Sequence, residues 1–168
     1  MKTPPNLFFL LISPTDSVVE YVSSLKKFVR ATIGHEFDSF NSKAHLTLFQ
    51  YFDFHNESKL YSFQERISDF KPFQIHIEGF KTFNNSWTIF LDIKFICEIC
   101  ALAERLGHSV RYPHITIAKN LPPKDFNLVW SELQKFWYKN EFLCDHVTVL
   151  KRINNRWAKH VELFLARL

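Results

Sequence analysis

The chain has 168 residues, 46% of them hydrophobic and 17% aromatic, which suits one domain with a substantial core and excludes a disordered tail. With 19 Phe but only 3 Gly it lacks the glycines of a phosphate-cradling loop, so any bound phosphate must be held by side chains. The formal net charge of +4 favours an anionic ligand, although the basic residues form no long run.

In chain order, Leu7 to Ile12 is an apolar run closed by Ser13-Pro14-Thr15-Asp16. It is too short for a signal peptide, no small-residue cleavage site follows, and it reads as a buried first strand. Asp16 can cap a helix that keeps Val18, Val22, Leu25 and Val29 at helical spacing, with Gly34 at its end. A strand carrying His45 comes next. Leu60, Phe63 and Ile67 mark a second helix, and Phe73, Ile75 and Ile77 alternate as a strand running toward Gly79.

The second half repeats this order. Trp87 to Ile93 reads as a strand, and Ile96, Ile99, Leu102, Ala103 and Leu106 as a helix ending at Gly107. The His114 strand follows, then a helix opened by Pro123 and Asp125 with Phe126, Val129, Trp130, Leu133 and Trp137 on its apolar side. A strand is expected from Phe142 to Leu150, and a last one from Arg156 to Leu165 with Trp157, Val161, Leu163 and Leu165 on one alternation. The pattern predicts a single α+β domain over 1–168, built as two lobes, about 1–84 and 85–168, from a duplicated β-α-β-α-β unit. No apolar run reaches the length of a membrane span, and a soluble, cytoplasmic monomer is expected.

Three cysteines without an export signal point to reduced thiols. Cys97, Cys100, Cys144 and His146 would make a zinc tetrahedron on paper, but no second C-x-x-C or H-x3-H accompanies them, and buried structural thiols are the expectation. Asp53 and Glu57 flank His55 on an expected loop, where solvation accounts for them, and no metal is predicted.

The chemistry lies in two short stretches, His45-Leu46-Thr47-Leu48 and His114-Ile115-Thr116-Ile117. Alternate residues of a strand share a face, so each stretch presents an imidazole and a hydroxyl roughly 7 Å apart and turns its aliphatic residues into a core. Composition alone gives about 0.4 His-x-Thr triplets, a caution any short motif carries. The chain has three, the third being His146-Val147-Thr148-Val149. Laid over one another at 114 − 45 = 69 residues, the halves put the first two on equivalent middle strands. His146 instead matches Gln74-Ile75-His76-Ile77-Glu78, which has no threonine, so His76 and His146 read as sheet histidines.

These residues resemble the two-histidine (2H) phosphoesterase superfamily, in particular its 2'-5' RNA ligase-like and cyclic phosphodiesterase branches. Lys43-Ala44-His45-Leu46-Thr47-Leu48-Phe49 is similar to its first motif, and Tyr112-Pro113-His114-Ile115-Thr116-Ile117-Ala118-Lys119 to its proline-preceded second motif. The resemblance implies a bilobed fold whose antiparallel-rich sheets flank a central cleft, with His45 and His114 catalytic and no cofactor. It further implies RNA or nucleotide substrates with a cyclic phosphate or 2'-5' linkage. On this basis His114 is expected to activate water while His45 protonates the leaving ribose oxygen, with the reverse assignment open. Thr47 and Thr116 would hold the phosphate, with Lys119 where the family often has arginine. Lys43 and Tyr112 precede the two histidines by two residues, and Phe49 and Tyr51 continue the His45 alternation; Lys43, Phe49 and Tyr112 are candidate lining residues, Phe49 being also a candidate for plain core packing. Ligation, the reverse reaction, and a non-catalytic RNA-binding module are the alternatives.

Overall fold

The computed structural model describes residues 7–51 and 58–167; Asp53, His55 and Glu57 lie outside the described residues. The elements run β1 (Phe8–Ile12), α1 (Asp16–Ile33), β2 (Leu46–Tyr51), α2 (Ser58–Ile67), β3 (Phe73–Phe83), β4 (Thr88–Lys94), α3 (Cys97–Arg105), β5 (His114–Ala118), α4 (Pro123–Leu133), β6 (Lys139–Cys144), β7 (His146–Ile153) and β8 (Arg156–Phe164). No helix among the described residues is long and apolar enough to cross a membrane.

The helices form where apolar spacing demands. Val18, Val22, Leu25 and Val29 of α1 are buried, as are Leu60, Phe63 and Ile67 of α2. Thr15 rather than Asp16 occupies the cap position of α1, which puts the Asp16 carboxylate in the first turn, where the helix dipole favours it. Gly34 ends the helix at φ 82° and returns its N–H to the Arg30 carbonyl.

All strands join one antiparallel sheet in the order β6-β3-β4-β5-β2-β1-β7-β8. The order is symmetric about its centre, β5 answering β2, β4 answering β1, and β3 answering β7. Each half of the sheet therefore mixes both halves of the chain, because β3 crosses to pair with β4 and β7 crosses to pair with β1. The centre is also the thinnest join: β2 and β5 share one registered pair, Leu46 with Ile115, whereas every other neighbouring pair shares four or more. Phe8, Leu10, Ile12, Leu46, Leu48, Ile115 and Ile117 are at most 1% exposed and form the core with the helices.

Three strand expectations are corrected by bulges and breaks. Gly79 does not end β3. It sits at φ 80° where the pairing with β4 shifts, its N–H donates to the Tyr138 carbonyl, and the strand continues to Phe83. The run from Phe142 to Leu150 is two strands, broken at Asp145; β6 pairs with β3 and β7 with β1, on opposite sides of the sheet. Of the expected Trp157, Val161, Leu163 and Leu165 stripe, Leu163 and Leu165 are deeply buried, whereas a bulge opposite Val149 and Leu150 resets the alternation and turns Trp157 to the other face. Trp137 also leaves its predicted place: α4 stops at Leu133, and the indole is 70% exposed and lies over Gly79.

Candidate active site

The central pair sets the site. With Leu46 across from Ile115, antiparallel register puts His45 across from Thr116 and Thr47 across from His114. The aliphatic residues between them are fully buried, and these four polar side chains are half-buried on the other face. The two imidazoles thus sit on one diagonal of a rectangle and the two hydroxyls on the other.

Both rings are anchored alike. His45 Nδ1 is 2.8 Å from the Lys43 carbonyl oxygen, and His114 Nδ1 is 2.7 Å from that of Tyr112. A carbonyl only accepts, so Nδ1 carries the hydrogen in each ring and Nε2 is left to exchange protons. Neither Nε2 hydrogen-bonds a described residue. Lys43 and Tyr112 contribute these carbonyls, while their side chains are exposed at the rim.

Aromatic edges fix the ring planes. Phe9 meets His45 edge-on at 5.3 Å, and Phe83 meets His114 edge-on at 5.1 Å, with Phe90 at 5.0 Å. Beside His45 lies a pocket of about 430 Å³ lined by Phe9, Ser13, Lys43, Leu150, Arg156 and Trp157. On the His114 side, about 550 Å³ is lined by Phe83, Phe90, Asp92, Arg111, Tyr112 and Pro113. The two pockets are pseudo-symmetric images, since Ser13 on the β1 side answers Asp92 on β4, and Lys43-Ala44 answers Tyr112-Pro113.

Charge breaks the symmetry. Asp92 is registered across from His114, 8% exposed, and held by Lys81 at 2.9 Å and Lys94 at 2.7 Å. His45 faces cations instead. Burial pushes its imidazole below the ordinary value; the Lys43 carbonyl opposes this, and the charges of Lys26, His114 and Lys119 add to it. Lys119, just past β5, is therefore within electrostatic reach of His45.

Lys26 has no counterpart in the sequence reading. It lies on the buried side of α1, 3% exposed, and its Nζ donates to the carbonyls of Ser39 (2.5 Å) and Ser42 (2.6 Å) and to Ser42 Oγ (2.8 Å). Desolvation, then the charge of Lys119, lowers this ammonium to about 8. The only sequence signal was a lysine beside an apolar stripe, which ordinarily marks a snorkelling surface residue.

Phe49 is not in the cleft. The β1–β2 register slips between Leu10 and Leu11, so that Thr47 pairs with Leu11 but Phe49 pairs with Leu10, and Phe49 turns onto the helix-covered face. There it is 8% exposed, stacked on His108 at 4.5 Å and against Phe63. The side chain of Tyr51 lies outside the described residues. The cysteines are dispersed: Cys97 is exposed on α3, Cys100 donates to the Val110 carbonyl, and Cys144 is buried on β6, where burial pushes its thiol up to about 12. No group of three or more candidate metal ligands occurs among the described residues.

A family model described as 2'-5' RNA ligase superfamily matches residues 14–156, which spans both motifs. The chain belongs to the 2'-5' RNA ligase superfamily. Among solved structures, the Thermus thermophilus protein TT0787 superposes with a TM-score of 0.70 at 14% identity, covering 95% of this chain and 97% of that one. Escherichia coli LigT in apo form gives 0.64 at 17% identity over 98% and 100%, and a further structure of it is a complex with 3'-AMP. Kluyveromyces marxianus Usb1 gives 0.51 at 14% identity over 96% and 99%. At these identities the likeness is one of fold, and it extends over nearly the whole chain of this superfamily member. No curated protein sequence matches the chain.

Proposed function

We propose that this superfamily member is a phosphodiesterase that hydrolyses 2',3'-cyclic phosphate ends of RNA or nucleotides by two-histidine acid-base catalysis. The observation that carries the reading is the matched pair of Nδ1–H···O=C anchors, which leaves two Nε2 atoms on the same face as two threonine hydroxyls. A binding module needs no such pair of proton-exchanging atoms. LigT, a protein of this fold, forms a complex with 3'-AMP, a ribonucleotide, which fits the same substrate class.

The surroundings of His45 favour the reverse of the assignment that the resemblance implied, the alternative left open there. His45, buried and near Lys26 and Lys119, favours the neutral ring and suits the base. That leaves His114, whose Nε2 is equally free of described partners, as the acid. His45 Nε2 takes a proton from water as its oxygen bonds to phosphorus. The bond from phosphorus to one ribose oxygen breaks, and that oxygen receives the proton of His114 Nε2. Thr47 and Thr116 donate to the non-bridging oxygens, and Lys119 offsets their growing charge.

The family's description favours ligation as a second reading: a 5'-hydroxyl replaces water as nucleophile and the same two proton transfers apply. Incubation with nucleoside 2',3'-cyclic phosphates, with the product's phosphate position determined, tests the proposal. Turnover lost in folded His45→Ala and His114→Ala variants supports it. Turnover unchanged in both variants, or tight binding with no turnover in the parent, overturns it.

A further inference from the structure

The net charge of the chain is +4, and residues 150–161, Leu-Lys-Arg-Ile-Asn-Asn-Arg-Trp-Ala-Lys-His-Val, hold four cations and no carboxylate. Sequence distance conceals this cluster; the β7–β8 hairpin creates it by folding Lys151 and Arg152 back on Arg156 and Lys159. A two-residue turn makes this possible, with Asn154 and Asn155 at φ 49° and 62°. Leu150 pairs with Phe9, so it shares the cleft face, and two-residue alternation puts Arg152 on that face too, with Trp157 directly across from it. Neither Arg152 nor Arg156 forms an ion pair with a described residue, whereas Lys159 is held by Glu162.

The hairpin is continuous with the site. Trp157 is 44% exposed, its ring 5.7 Å from Phe9, whose ring in turn is 5.3 Å from His45. Trp157 and Arg156 both line the pocket beside His45. Register sets Arg156 across from Ile153, one step along the strand from Trp157, yet Arg156 lines the same pocket, so an exposed indole with Arg152 across from it and Arg156 at the pocket wall is suited to a stacked base between two phosphates.

We propose that the β7–β8 hairpin is a single-strand RNA-binding arm, Trp157 stacking a base and Arg152 and Arg156 holding the adjoining phosphates, so that the preferred substrate is an oligoribonucleotide entering from the His45 side. This rests on the phosphodiesterase reading for its substrate class, but its test does not depend on turnover. The anion in question is polymeric; a free nucleotide has no phosphate to place on Arg152 while its own occupies the two histidines.

The probe is a fluorescein-labelled decaribonucleotide with a 3'-phosphate, titrated by anisotropy against the full chain and against Trp157→Ala, Arg152→Gln/Arg156→Gln and Arg152→Lys/Arg156→Lys, at several salt concentrations. Removing both charges is expected to weaken binding at least ten-fold and to flatten the log–log salt slope by about 1.4, from roughly 0.7 per phosphate contact on a single strand. The double lysine variant keeps the slope, and Trp157→Ala weakens binding about ten-fold with the slope unchanged. In turnover, the glutamine variant raises KM for a decamer ending in a cyclic phosphate at least five-fold more than KM for the cyclic mononucleotide. Affinity and slope equal to the parent's in a glutamine variant with the parental unfolding temperature would overturn the arm. So would a parent that binds decamer no better than 3'-AMP. Cyclic nucleotide turnover with no hairpin effect leaves the catalytic reading standing and removes the arm; hairpin-dependent decamer binding without any turnover does the opposite.

Discussion

Lys26 donates to the Ser42 carbonyl at 2.6 Å, one residue before the Lys43 carbonyl that accepts from His45 Nδ1 at 2.8 Å. A buried ammonium on α1 thereby fixes the backbone that fixes the ring. The same charge discourages protonation of that ring. His114 is led in differently, by Pro113, whose ring restricts the backbone without any charge.

Lys26→Met removes tether and charge together. Three acceptors lose the ammonium, and although the Ser39 carbonyl keeps the N–H and hydroxyl of Ser42, an acceptor left buried and unsatisfied costs about 1 to 3 kcal/mol, so the unfolding temperature falls. With the neighbouring cation gone, the protonated form of His45 is less disfavoured, and the acid limb of kcat/KM moves to higher pH. Ser42→Ala, which loses the hydroxyl that accepts from Lys26 and donates to the Ser39 carbonyl but keeps the ammonium, should leave that limb in place. A pH profile of both variants, with Lys26→Arg restoring the parental limb, checks this; the charges around the ring are Lys26 from α1, His114 and Lys119 from β5 and its end, and Lys43 at the rim.

The parental profile has its own expected shape. A general base works deprotonated, and burial lowers the proton affinity of His45, so activity rises with pH through a midpoint below the free imidazole value of about 6.5. The same shift has a stability sign. Below about pH 6.5 the unfolded chain binds this proton more readily than the folded one, so His45 contributes a loss of stability as the pH falls through that value. Initial rates and denaturant midpoints from about pH 5 to 8 test both.

Most of the helical layer and both motif strands were legible, because apolar spacing and the His-x-Thr alternation are local signals. What escaped depends on partners distant in sequence. Phe49 shares its alternation with His45 on paper, and only the slipped register against Leu10 and Leu11 turns it inward. The break at Asp145 carries no glycine or proline; it exists because Cys144 pairs with Phe73 while Thr148 pairs with Leu11. Trp157 looked like one more core residue of a last strand, until the exposed hairpin put it beside the His45 pocket.

Phe49→Ala should therefore behave as a core truncation. A loss of about 3 to 5 kcal/mol in unfolding free energy is expected, since a buried ring that contacts His108 and Phe63 is replaced by a cavity. KM for a cyclic nucleotide, measured below the lowered unfolding temperature, should stay within two-fold of the parent. Raised KM with parental stability would put the ring in the cleft.

Thr47→Val and Thr116→Val keep shape and remove one donor each. If the hydroxyls meet charge that grows in the transition state, kcat falls on the order of 100-fold per threonine while KM changes far less. Excess chelator should leave the parental rate intact, because both proton transfers are assigned to imidazoles and the phosphate charge to Thr47, Thr116 and Lys119. A rate abolished by chelator and restored by added divalent metal would contradict that assignment.

The roles of the two histidines separate by leaving group. A ribose alkoxide is too basic to depart without a proton, whereas a nitrophenolate leaves unaided, so an activated aryl phosphodiester needs the base but not the acid. If His114 is the acid, His114→Ala loses roughly 100- to 10,000-fold on a 2',3'-cyclic phosphate, but recovers most of that on bis(4-nitrophenyl) phosphate. His45→Ala stays impaired on both. The opposite pattern would return the acid role to His45, and would mean that its burial and its cationic neighbours hinder the reaction instead of keeping the base ready at neutral pH.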